Sequence, residues 1–280
     1  MNEDAKAYLG KISSKPDDKI EVVPTAVALA ALERPELSMD RYLNHLKSLV
    51  GEVKQRHRDL LEASAGDTVE TQLAALKHVL SDSYGYKGID DENSEFVFSD
   101  ILDVIDNRKG SPLSLCLLYM HAGRALKWDI SVMRIPGHNV LSMDKDGRRV
   151  IFDPSEACKI LQASDLRAHV KKALGEDAEL SADYYEPTGN RELLIRFQNV
   201  IKFHRIEMED YEGALNIVQG LRIVDPREYR LLLDAGVLLA RSNRPKEAID
   251  ALENYIEVAP DREDREDAAL LLQHIRESIS

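Results

Sequence analysis

Residues 108–115 read Arg108-Lys109-Gly110-Ser111-Pro112-Leu113-Ser114-Leu115, and they mark where the central helix of the chain begins. Ser111 can accept from the first free amides of a helix, while Pro112 has no amide to leave unpaired. The following residues, to about Lys127, are apolar around most of the circumference through Leu113, Leu115, Cys116, Leu117, Leu118, Tyr119, Met120, Ala122, Ala125 and Leu126. Such a helix belongs inside a domain. Three runs with strand character come next: Ile130 to Ile135, His138 to Met143, and Arg148 to Asp153. The last two are joined by Asp144-Lys145-Asp146-Gly147, which suits a hairpin connection. A buried helix followed by an antiparallel sheet predicts an α+β domain.

Upstream, Ser38 is placed to cap a helix over Met39 to Glu62, with Tyr42, Leu43, Leu46, Leu49, Val50 and Val53 at three- and four-residue steps. Asp67 and Glu70 form a capping-box pattern ahead of Leu73, Leu76, Val79 and Leu80. The polar run Asp90 to Glu95 breaks the periodicity, and a short helix is expected over Ser99 to Asn107. Downstream, a helix bearing Leu166, Val170 and Leu174 closes the first domain near Gly175.

From about Pro187 the chain repeats. A shift of 34 residues places Ala214 on Ala248, Leu215 on Ile249, Val218 on Leu252, Val224 on Val258 and Pro226 on Pro260, the period of tetratricopeptide helix pairs. Gly236, Ala248 and Pro260 fall where that motif needs a small residue between packed helices, a second small residue, and a stop. Each pair leaves an apolar face uncovered, so two pairs and a closing helix over Asp264 to Ser280 are expected to lean on the first domain. The predicted organisation is an α+β domain over 1–175, with a helical N-terminal part, and an all-α module over 188–280.

With 44% hydrophobic and 31% charged residues, the composition is that of a globular protein. No apolar run reaches membrane-spanning length, and the first 25 residues hold no apolar core followed by a small-residue cleavage site. The reading is cytoplasmic, with no membrane partner. A net charge of −13 repels phosphate backbones, so no nucleic-acid partner is expected. Cys116 and Cys158 are too few for a disulfide scaffold and have no partner at zinc-site spacing, so neither a metal nor another cofactor is expected.

The helix start, Pro136-Gly137-His138 and Asp153-Pro154 supply, in chain order, a nucleophile position, a base and an orienting carboxylate. Together with Asn93-Ser94 and the repeat residues, these stretches resemble the SirB-type branch of the transglutaminase-like superfamily, over nearly the whole chain. The resemblance implies a bacterial protein with a papain-like cysteine-protease core followed by tetratricopeptide repeats. In the enzymes of that superfamily the catalytic cysteine opens the central helix, and His and Asp follow on adjacent strands. His138 and Asp153 match the last two roles, and the cysteine position falls on Pro112, as in proline-bearing members of the branch. Proline has no nucleophilic atom, so what the resemblance implies is a fold and a pocket.

Cys116 lies one helical turn further on, about 5.4 Å along the axis, and reads as a small core residue rather than a displaced nucleophile. Ser111 and Ser114 read as capping residues, Trp128 as a packing residue, and the acidic run Pro260 to Asp267 as a solvated helix start. The expected function is that of a non-catalytic interaction or regulatory protein. It binds a protein or peptide through its repeats and a degenerate pocket in which His138 and Asp153 persist as hydrogen-bonded vestiges, opposed across the hairpin. The alternative is an amide-bond hydrolase or acyltransferase. A role in transcription, which the family name suggests, would be indirect because the acidic balance opposes DNA contact.

Overall fold

A computed structural model of the chain describes residues 2–89 and 100–278. Asn93-Ser94 and the polar run 90–95 therefore lie outside the described residues. Four helices open the fold: α1 (Glu3–Gly10), α2 (Val22–Ala31), α3 (Asp40–Glu62) and α4 (Val69–Leu76), the last continuing into π-helical turns over Lys77–Ser83. The sequence of α2, VVPTAVALAA, has no charged residue on any face, and every residue except Ala30 is buried. Its one hydroxyl, on Thr25, donates to the Glu21 carbonyl at 2.8 Å. The expected capping box at Asp67 is replaced by Thr68, whose Oγ1 accepts from the Thr71 amide at 3.3 Å. Asp67 instead reaches Lys145 at 3.2 Å, a tertiary ion pair that outcompetes the local cap.

A two-residue parallel pairing of β1 (Lys87–Gly88) with β2 (Lys109–Gly110) brackets α5 (Ile101–Asn107), which Asp100 caps through the Leu102 amide at 2.8 Å. The central helix α6 (Pro112–Ala125) starts where Ser111-Pro112 predicts, with Ser111 Oγ accepting from the Ser114 amide at 3.3 Å. An antiparallel sheet follows in the order β3 (Asp129–Val132), β4 (Leu141–Lys145), β5 (Arg148–Asp153), β6 (Lys159–Ile160). The β4–β5 connection is the two-residue loop Asp146-Gly147, at φ 51° and 80°, the left-handed pair that a tight hairpin needs.

Two strands differ from expectation. The first run stops at Val132 instead of Ile135, because Met133 bridges to Pro187, in the segment that leads to the repeats. The second begins at Leu141 instead of His138. Pro136-Gly137 turns the chain there with Gly137 at φ +71°, and a Cβ on Gly137 would stand 2.5 Å from the Ala173 Cβ. The turn thus lies directly against α7 (Ala163–Leu174), and His138 sits in a loop.

Five helices complete the chain: α8 (Asn190–Glu207), α9 (Tyr211–Val224), α10 (Arg230–Arg241), α11 (Pro245–Val258) and α12 (Arg262–Ser278). Gly236 occupies the small-residue position of the repeat, where a Cβ would meet Leu252 Cγ at 2.7 Å. The repeats lean on the rest of the molecule through α2, which packs against α6, α8 and α9. One hydrophobic cluster runs unbroken from Ala5 through Leu118 and Phe197 to Leu252. The stretch from Leu174 to Asp177 is exposed, and Gly175 ends α7 at φ 104°. Limited proteolysis is expected to cut first within Leu174–Glu179. The two fragments should stay associated on gel filtration, because the shared core outlasts the nick. First cuts inside Asn139–Phe152 would contradict the division into two parts.

Candidate functional site

The site is assembled from the loop before β4, the end of β5 and α7, with α6 reaching the loop through Cys116. Pro112, half-buried, is the first residue of α6. The two serines around it are spent on the helix start: Ser114 Oγ donates to the Ser111 carbonyl at 2.8 Å, and Ser111 Oγ receives the Ser114 amide. Both are buried, and neither hydroxyl is directed to His138. Cys116 is 0% exposed, and its thiol donates to the Asn139 carbonyl at 3.5 Å. Burial, reinforced by the negative charge of Asp153, pushes that thiol well above the ordinary cysteine range.

His138 Nε2 lies 2.6 Å from Asp153 Oδ2. The route to this contact differs from the expected cross-strand opposition. The β4–β5 ladder ends at Leu141↔Phe152, and Asp153 pairs with Lys159 of β6, so His138 reaches the carboxylate from its loop. The other carboxylate oxygen, Oδ1, accepts from the Ser155 amide at 2.7 Å and from Ser155 Oγ at 2.6 Å. Burial alone would raise the pKa of Asp153, but the hydrogen bonds from His138 and Ser155 outweigh it and hold the carboxyl below its ordinary value. Asp153 is therefore a fully buried carboxylate whose acceptors are in use. It fixes the ring orientation of His138 and leaves Nδ1 as the ring nitrogen free to act elsewhere.

Three neighbours of the pair carry no local sequence signal. His169 of α7 stacks flat on His138, with centroids 4.0 Å apart and planes 3° from parallel. Burial and the facing His138 lower the pKa of His169, so at neutral pH it covers one ring face as a neutral imidazole. Asn139, next to His138, accepts from Arg196 of α8 through Oδ1 at 2.9 Å. Helix α8 thus touches the loop that carries the histidine. Of the remaining residues singled out above, Trp128 packs edge-on against His57 at 5.1 Å, and Cys158 is buried, its thiol pushed up to about 12 by desolvation. Among the described residues, no group of three or more His, Cys, Asp or Glu side chains is arranged to hold a metal ion. No helix among them is long and apolar enough to cross a membrane.

The chain order of histidine and aspartate is the one the resemblance implies, with the histidine in a loop here rather than on a strand. The family description "Transglutaminase-like superfamily" matches residues 40–199, and "Tetratricopeptide repeat" matches 201–273. The chain belongs to the transglutaminase-like superfamily. Within it, the chain is a SirB-type protein with C-terminal tetratricopeptide repeats. A UPF0162 protein of Xylella fastidiosa is 22% identical over 247 residues, covering 87% of this chain and 86% of the relative. The UPF0162 protein YchA of Escherichia coli is 23% identical over 239 residues, covering 84% and 85%. A UPF0162 protein of Vibrio cholerae is 24% identical over 246 residues, covering 87% and 88%. Each of these alignments covers more than four fifths of this chain and of the bacterial relative.

Proposed function

We propose that this chain is a cytosolic, non-catalytic binding protein whose repeats hold a peptide segment with an apolar anchor and acidic flanks. In this reading His138 and Asp153 persist without a nucleophile. The observation that carries it is an exposed apolar pair on the repeats. Phe203 of α8 is 56% exposed and Val237 of α10 is 38% exposed. The two residues are one repeat period apart, so they present the same position of successive helix pairs. Between them, Lys202 Nζ pairs with Asp234 at 2.5 Å, which ties the two helices together.

Charge selects the occupant. Arg230 and Arg241 stand seven residues before and four after Val237, on the same helix face, and both are exposed. The Arg230 guanidinium rests on the Tyr229 ring at 5.5 Å. Two cations bracketing an apolar position favour an apolar side chain flanked by carboxylates.

The chemical side of the proposal rests on Pro112 at the nucleophile position and on a Cys116 thiol that is buried, hydrogen-bonded and hard to ionise. The test is selection from a random peptide library on the full chain. Enriched sequences should pair an apolar anchor with Asp or Glu, and their affinity should fall about tenfold or more in Phe203→Glu, as for loss of a buried anchor. Peptides that bind the variant equally well would place recognition elsewhere. Turnover of an amide substrate by the unmodified chain, abolished in His138→Ala, would establish the hydrolase or acyltransferase alternative instead.

A further inference from the structure

We propose that the cleft between α2 and α9 binds an amphipathic anion: a small molecule with an apolar body and a single carboxylate end. The cleft has a volume of about 670 Å³ and opens between the end of α2, with its following turn at Glu33 and Pro35, and the outer face of α9. A recess of about 270 Å³ adjoins it and shares Leu32, Glu33, Asn216 and Gly220. These volumes lie in the range of small-molecule sites. None of the lining residues belongs to the His138 site or includes Phe203 or Val237, so this site stands apart from the function proposed above.

The walls supply the apolar contact. Leu32, Pro35, Ile223 and Pro226 line the cleft, and Ile201 and Ile217 line the recess. Gly220 faces both spaces. A Cβ there would stand 3.0 Å from Leu29 Cδ2 and 3.1 Å from Leu32 Cδ1, so the bare backbone of α9 comes up against α2.

The polar groups decide the ligand's charge. Glu33 is fully engaged: Arg205 binds it through two hydrogen bonds of 2.9 and 2.7 Å, and Asn216 Nδ2 adds a third at 2.8 Å. Asp100 in the recess is held by Arg34 at 2.9 Å. Both acids are thereby neutralised within the wall. Two cations are left over at the cleft. The side chains of Lys6 and Arg222, exposed there, have no hydrogen-bond or ion-pair partner among the described residues. In a chain of net charge −13, a cleft whose two unpaired charges are both cations selects a negatively charged acceptor. A carboxylate provides it, and the apolar walls take the body attached to it.

The test is calorimetric titration of the full chain with decanoate, with decyltrimethylammonium as the probe of equal apolar length and opposite charge. Decanoate is expected to bind at one site, at least tenfold more tightly than the cation. Arg222→Glu and Lys6→Glu reverse exposed charges that have no partner in the fold, and each should weaken decanoate about tenfold without moving the melting temperature. Gln219→Trp, on the exposed rim, should block binding by filling the cleft. Absence of decanoate binding, equal affinity for the cation, or full affinity in Arg222→Glu and Gln219→Trp would overturn the proposal. Peptide binding at Phe203 would be untouched by any of these results.

Discussion

Replacing Pro112 by cysteine is expected to give a chain with one thiol that alkylates at neutral pH on the order of 10³-fold faster than either native cysteine. The native thiols set a low baseline. Cys116 is fully buried and its thiol is raised by burial, and Cys158 is buried and raised to about 12. A cysteine at position 112 differs in both respects. The position is half-buried, and it opens α6, where the unpaired amides of the first turn favour an anion. The substitution also costs the fold little, because a first-turn amide has no intrahelical acceptor to miss.

The contribution of His138 separates from that of the helix in the pH profile. In Pro112→Cys the midpoint of alkylation should fall below about 7.5, and adding His138→Ala should move it back toward the free-cysteine value near 8.5. If the midpoint ignores His138, the assignment of Pro112 to the nucleophile position is wrong. If the profile moves as expected, the substituted position alone separates this chain from a thiol-bearing relative.

Several parts of this arrangement are legible in sequence because they rest on short-range chemistry. Ser111-Pro112 starts a helix wherever it occurs in this setting, and Asp146-Gly147 closes a hairpin by backbone conformation alone. The 34-residue period of the repeats is legible because every pair must solve the same packing problem, as Gly236 against Leu252 illustrates. What escapes is set at a distance. The turn that carries His138 toward Asp153 depends on Gly137 lying against Ala173, and no pattern within residues 130–143 encodes that contact. Asn139 and Arg196, 57 residues apart, join a loop to α8 through one hydrogen bond. The segment α2 carries no amphipathic period because it is buried on all sides, so the element that ties the two parts together is the one periodicity passes over. The cleft beside it is equally silent, since Lys6 of α1 and Arg222 of α9 come to line one space only once those helices have packed.

Asp153→Ala is expected to destabilise the fold by about 3–5 kcal/mol, the scale for removing one partner from a buried charged network. The carboxylate accepts three hydrogen bonds, from His138 Nε2, the Ser155 amide and Ser155 Oγ, and its side chain is 1% exposed. Alanine leaves those donors without acceptors in a site that water does not reach freely. The pH dependence distinguishes this from simple loss of volume. The carboxyl of Asp153 is held below its ordinary value in the folded chain, so the folded state binds its proton less readily than the unfolded state does. Its stabilising contribution is thus fully present above the unfolded carboxylate pKa of about 3.9 and is lost as pH falls through the lower folded value. The parent and Asp153→Ala chains should differ most at neutral pH and converge as acid protonates the parent's carboxylate. Urea unfolding at a series of pH values reads both quantities. A gap that stays constant down to the acid limit would mean that Asp153 stabilises the site by filling space rather than by its charge. His138→Ala should then cost no more than a half-buried ring does. A converging gap, together with a smaller loss in His138→Ala, would show that Ser155 and the end of β5 hold the carboxylate in place and the histidine is the dependent partner.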